Sequence, residues 1–174
     1  MPRNVEIKAR IHSVEALLPT VAALTAALGD GAPQRIAQDD SFFAVAHGRL
    51  KLRQFADGSA ELIHYSRADT PHAKLSDYVR TPVVEPAALR EALTRACGLL
   101  GRVQKQRLLL LAGQTRIHLD QVLGLGDFIE LEVVLHDAQS EADGVAIADA
   151  LMQTLGLAEA PRIAGAYLDL LAAD

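Results

Sequence analysis

The chain has 174 residues, half of them hydrophobic and 22% charged, which is enough apolar material for one domain with a real core and excludes a disordered tail. Lys plus Arg total 17 and Asp plus Glu total 22, a formal charge of -5, which argues against binding duplex nucleic acid or an anionic membrane surface. The single cysteine, Cys97, excludes an intramolecular disulfide. Met1–Glu6 has no leader-like apolar stretch and Leu108–Gly113 is too short to span a bilayer, so a soluble protein of the reducing cytoplasm is expected.

Asn4 to Ile11 alternates polar and apolar residues with the period of a strand. Ser13 reads as an N-cap, followed by Val14, Leu17, Leu18, Val21, Leu24 and Leu28 at helical spacing, with Gly29-Asp30-Gly31 as the stop. Pro19 inside that pattern predicts a kink or a late helix start. Strands are expected at Gln38–Val45 and Gly48–Phe55, with Asp57-Gly58 turning into a third at Ala60–Arg67. Thr70–Lys74 reads as an exposed loop before a short strand near Tyr78–Val83. Pro86 and Gly98 bracket a second helix. Strands resume at Arg102–Ala112, Gln114–Val122 and Asp127–His136, followed by a helix from Ser140 to about Leu155 and a short one at Gly165–Leu171. With no linker in sight, residues 1–174 are expected to form one α+β domain.

Six strands share a pattern in which one face is apolar and the other charged. The charged positions are Glu6, Lys8 and Arg10; Arg49, Lys51 and Arg53; Glu61 and Arg67; Lys105 and Arg107; Arg116, His118 and Asp120; Glu130 and Glu132. For one strand alone, the simplest reading is a solvated face. For the set, the helices also carry apolar stripes that need a partner, and the apolar side of the sheet is the large one available. If the sheet curls, its charged side lines a cavity. Nine of these side chains are basic and five acidic, so an acidic total conceals a cationic interior suited to a short polyanion. Arg grips phosphate oxygens bidentately and Lys acts as a point charge, while clustered carboxylates can hold a divalent metal.

These residues resemble the CYTH, or triphosphate tunnel metalloenzyme, superfamily, which includes class IV adenylyl cyclases, thiamine triphosphatases and inorganic triphosphatases. Asn4-Val5-Glu6-Ile7-Lys8 is similar to the family's opening Glu-x-Glu-x-Lys. Gln38-Asp39-Asp40-Ser41-Phe42-Phe43, Gly48–Arg53 and Val103–Arg107 resemble its next motifs in order, and Arg116–Asp120 with Leu125–Glu132 looks most like the cyclase-type branch. The resemblance implies an antiparallel eight-stranded β-barrel, a triphosphate tunnel, with helices packed on the outside. It implies Mg²⁺ or Mn²⁺ held by Glu6, Glu130 and Glu132, with Asp120 as a further metal candidate. It also implies phosphate contacts from Lys8, Lys51, Arg53, Lys105, Arg107 and Arg116. Arg10 and His118 join the substrate-binding candidates on their strand faces, and Glu6, Lys8, Tyr65 and Arg67 are the catalytic ones. The expected substrate is ATP, tripolyphosphate or thiamine triphosphate, acted on by a monomer or homodimer. The leading expectation is conversion of ATP to cyclic AMP and pyrophosphate, with triphosphate hydrolysis and a non-catalytic binding module as alternatives. Two departures stand out. The family's first Glu is Asn4 here, and the strand after the hairpin, Glu61–Arg67, has no Lys, leaving Tyr65 and Arg67 in that region.

Overall fold

A computed structural model describes residues 3–28 and 31–173. Strand β1 (Arg3–Arg10) leads to helix α1 (Val14–Ala27). The Ser13 hydroxyl accepts from the amide of Ala16 at 3.1 Å, so the helix starts at the cap and not late. It continues through Pro19, which removes one intrahelical donor. Gly29-Asp30, the expected stop, lies outside the described residues. Because Pro19 is exposed and inside the helix, Pro19→Ala is expected to raise stability by about 2 kcal/mol, read as a higher urea midpoint at unchanged slope.

Strands β2 (Gln34–Phe43), β3 (Arg49–Phe55), β4 (Ala60–Arg67) and β5 (Lys74–Pro82) follow, then helix α2 (Pro86–Cys97). The β3–β4 turn falls on Asp57-Gly58 as the sequence predicts. Gly58 takes a positive φ of 87°, and Asp57 Oδ1 accepts from the amide of Ser59 at 2.9 Å. Strands β6 (Leu99–Ala112), β7 (Thr115–Val122) and β8 (Gly126–Val134) are joined by short turns. Helix α3 (Glu141–Thr154) opens on a capping box between Ser140 and Asp143, and helix α4 is Tyr167–Ala173.

The strands close into an antiparallel barrel in the order β1-β5-β4-β3-β2-β6-β7-β8, with β8 paired back to β1. Three strands are longer than the sequence predicts: β2 begins at Gln34, β5 at Lys74 and β6 at Leu99, and β2 and β6 pair along most of their length with an irregularity at Phe42/Phe43. The loop expected at Thr70–Lys74 is corrected at its end. Lys74 starts β5 and is 5% exposed, its Nζ donating to the carbonyls of Thr70 and Ala164. Those two acceptors let a lysine be buried where polarity alone suggests a loop.

The apolar outer faces take the helices. Val5, Ile7, Leu110, Ile117, Leu119, Ile129, Leu131 and Val133 bury against Val14 and Val21 of α1 and Ala148 and Met152 of α3. Gly144 lets α3 approach β1, since a Cβ there would sit 2.5 Å from the Val5 side chain. Helix α2 covers β2 and β3 through Leu89 and Leu93. Helix α4 differs from these three. It closes one end of the barrel, where Tyr167, Phe128, Phe42, Val122 and Leu125 form a separate apolar cluster.

Candidate active site

Register decides which side chains meet inside the barrel. Glu6 lies opposite Glu132, Lys8 opposite Glu130, His118 opposite Glu130, Arg116 opposite Glu132, Arg107 opposite Asp120, and Asp40 opposite Arg53. Because side chains alternate with period two, these residues share the inner face. Glu6, Arg53, Arg107, Arg116, His118, Glu130 and Glu132 of this face wall a cavity of about 300 Å³. Its cations are Lys51, Arg53, Arg67, Arg80, Arg107 and Arg116, against the carboxylates Glu6, Glu61, Glu130 and Glu132. Ile36, Phe55, Ile63 and Leu109 add apolar wall.

Three groups of ion pairs organise this interior. Arg67 donates to Glu6 Oε2. Glu130 is held by Lys8 at 3.2 Å and by Arg107 at 2.9 Å, and Glu132 accepts from Arg116 at 2.9 Å. Across the cavity, Asp40 receives Arg53 through two bonds of 2.7 Å and Lys51 at 3.0 Å. One buried carboxylate thus serves two cations, which leaves positive charge for an anion entering the cavity.

Burial sets the proton affinities. Glu6 is raised from its ordinary value, first by burial, while Arg67 opposes and the charges of Glu130 and Glu132 add. Asp40 and Glu130 are held well below the carboxylate range: burial pushes them up, but the cations around them outweigh it. Tyr65 is pushed up to about 12 by burial. Lys51 is brought down to about 8 by burial and the neighbouring Arg53, although Asp40 pulls the other way. As pH rises through that value Lys51 loses its charge, so affinity for an anion falls. We expect metal-free tripolyphosphate binding at pH 9 to take up protons, seen by calorimetry in buffers of different ionisation enthalpy, and Lys51→Arg to reduce the uptake, Lys74 being brought down to about 8 as well.

Of the residues expected from sequence, Glu6, Lys51, Arg53, Tyr65, Arg67, Arg107, Arg116, His118, Glu130 and Glu132 line the cavity. Four do not. Arg10 is exposed at the far end, its Nη1 bonded to the Leu125 carbonyl at 2.6 Å and its guanidinium over the Phe128 ring. Lys8, Lys105 and Asp120 lie beneath the cavity, in the sealed end. Both oxygens of Asp120 are taken by Arg107 at 2.7 Å, and the Tyr167 hydroxyl adds a bond of 2.9 Å. Tyr167 also places its ring 4.2 Å from Lys8 Nζ and 5.2 Å from Lys105 Nζ. As the first residue of α4, Tyr167 packs in the closed end. Tyr78 does line the cavity.

Sequence reasoning missed Lys74 and Arg80. The signal was available, since Lys74, Ser76, Tyr78 and Arg80 alternate with Leu75 and Val79. A cluster that sequence did not assemble is His118 with Glu130 and Glu132, whose ligand atoms all lie within 4.8 Å of one another.

The family model described as the CYTH domain matches residues 2–167. No curated protein matches the chain. Among solved structures, the PH1012 protein from Pyrococcus horikoshii superposes with a TM-score of 0.80 at 20% identity, over 96% of this chain and 98% of that one. A presumed adenylate cyclase from Vibrio parahaemolyticus gives 0.75 at 21% identity, covering 97% of each. The RNA triphosphatase of Schizosaccharomyces pombe gives 0.51 at 11% identity, over 95% of this chain and 85% of that one. At these identities the likeness carries the fold alone. No helix of the described residues is long and apolar enough to cross a membrane.

Proposed function

The chain belongs to the CYTH domain family, and from that premise we propose a metal-dependent enzyme that binds a triphosphate inside the barrel and converts ATP to cyclic AMP and pyrophosphate. The observation that carries this reading is the cavity itself, in which six cations face a carboxylate and imidazole cluster. A presumed adenylate cyclase shares this fold, which makes cyclisation of ATP the first reaction to test.

The residues fit a divalent ion. His118 Nδ1 is buried with no hydrogen-bond partner, and two carboxylates converge beside it. His118, Glu130 and Glu132 would hold the ion, with Glu6 beside Glu132 on the neighbouring strand. When bound, it supplies Lewis acidity toward phosphoryl oxygens and toward the attacking hydroxyl.

The chain's own residues do the rest. Arg53 and Lys51, sharing one counter-ion, hold phosphate oxygens at one wall. Arg107 and Arg116 do so at the other, beside Glu130 and Glu132. Fixed cations in a buried site stabilise charge developing on the leaving pyrophosphate, because they need no reorganisation during reaction. The ribose 3′-oxygen bonds to the α-phosphorus, and the bond from that phosphorus to the bridging oxygen breaks. Glu6, whose burial raises its proton affinity, would receive the hydroxyl proton. The apolar wall of Ile36, Phe55 and Leu109 offers packing for the organic part of the substrate.

Hydrolysis is a second reading, favoured by Asn4. Its Oδ1 is buried, lines the cavity and lacks a protein partner, the chemistry of a position for an ordered water. A panel of ATP, thiamine triphosphate and tripolyphosphate with Mg²⁺, Mn²⁺ or Co²⁺ decides. Cyclic AMP from ATP supports the first reading. Phosphate release without cyclic AMP supports hydrolysis. Tight binding without turnover under all three metals would leave a binding module and overturn both.

A further inference from the structure

The pairing of β7 with β8 sets His118 directly opposite Glu130, with Glu132 two residues along the same face. His118 Nδ1 stands 3.5 Å from Glu130 Oε2 and 3.9 Å from Glu132 Oε1. The residue is 4% exposed, and Nδ1 makes no hydrogen bond. A buried ring nitrogen without a partner carries a desolvation cost that native structures seldom leave standing. Two carboxylate oxygens approach it at a spacing too long for a good hydrogen bond and suited to a cation shared among the three.

The remaining contacts of these carboxylates allow this. Glu132 gives its Oε2 to Arg116 and turns Oε1 toward His118. Glu130 gives Oε1 to Lys8, while its Oε2 accepts from Arg107 at 2.9 Å and also faces His118. The donor set is therefore one imidazole nitrogen with two carboxylate oxygens. That set differs from an all-carboxylate site. Mg²⁺ is a hard ion that takes oxygen ligands and keeps its waters, whereas imidazole suits first-row transition ions.

We infer that His118 is a metal ligand through Nδ1, and that the ion this tunnel prefers is a divalent first-row transition ion over Mg²⁺. The inference rests on the reading of the barrel as a metal and triphosphate site, and adds which ion it selects and through which atom. Coordination requires the imidazole to be neutral with its proton on Nε2.

The test is metal binding by the full chain stripped of metal, with no substrate present. Mn²⁺ bound to the wild type is expected to show ¹⁴N coupling in pulsed electron paramagnetic resonance, which reports the imidazole without any variant. In His118→Asn an amide oxygen takes the place of Nδ1. The coupling is expected to vanish, and the affinity ratio of Co²⁺ to Mg²⁺ to fall by at least about tenfold. Binding without ¹⁴N coupling, or an unchanged Co²⁺ to Mg²⁺ ratio in His118→Asn, overturns the inference and leaves a metal site built on carboxylates. Failure of the wild type to bind any of the three ions, alone or with tripolyphosphate, overturns the metal reading itself.

Discussion

Glu130→Gln is expected to lower triphosphate turnover by about a thousandfold. Glu130 is where the interior charges converge. It is 6% exposed, pairs with Lys8 at 3.2 Å and Arg107 at 2.9 Å, and lies 3.8 Å from Arg67 Nη1 and 3.5 Å from His118 Nδ1. Its carboxyl is held well below the ordinary range, so it is a full negative charge at neutral pH. Gln keeps the shape and removes that charge. The cations around it would then lack a counter-charge in a medium that screens poorly, at a cost of about 3–5 kcal/mol in stability. Turnover per folded molecule separates the two effects, with urea unfolding measured on the same samples. A variant that is destabilised but turns over normally when folded would make Glu130 a structural counter-ion and no more.

Asp40→Asn is expected to lose about 3–5 kcal/mol of stability, with a melting temperature lower by about 10 °C. Asp40 is 1% exposed and is the hydrogen-bonded counter-ion of both Lys51 and Arg53. Its folded pKa lies well below the ordinary 3.8, so its stabilisation is present at and above that value. The gap between wild type and variant should hold from neutral pH down to 3.8 and close only as pH falls further toward the folded pKa. A second outcome ties this pair to the anion site. Tripolyphosphate supplies negative charge to the same two cations, so it should raise the melting temperature more in Asp40→Asn than in the wild type. An equal or smaller rise would place the phosphates away from Lys51 and Arg53.

Much of the inner surface was legible in particular residues. Glu6 and Lys8, Lys51 and Arg53, Arg116 and His118, Glu130 and Glu132 each sit two apart on a strand, so each pair had to share a face. Asp39 and Asp40 had to part. Asp40 turns inward to Arg53, and Asp39 turns outward to Arg102, with Nε to Oδ1 at 2.6 Å. Lys74 was lost because the polar stretch with Pro71 reads as loop and outweighs the alternation that begins at Lys74; the carbonyls of Thr70 and Ala164 that satisfy it lie outside that strand. The position of Tyr167 was not legible, because the seven residues of α4 carry no mark of the surface they cover.

By itself the sequence determined most of the elements, the one charged face of the sheet and the residue types on it; closure of that sheet was implied only by the family resemblance and is seen in the structure. Alternation within a strand is local, and a one-residue slip would put every charge on the wrong side. Depth along the barrel axis was decided only in three dimensions. It depends on the register between β1 and β8 and between β2 and β6, and on the docking of α4 after residues distant in the chain have met. That is why Lys8, Lys105 and Asp120 lie under Tyr167 while Lys51, Arg53 and Arg116 face the cavity, though all six follow the same pattern in sequence. It is also why His118 joins Glu130 and Glu132: their meeting is a property of the β7–β8 register, which no single strand encodes.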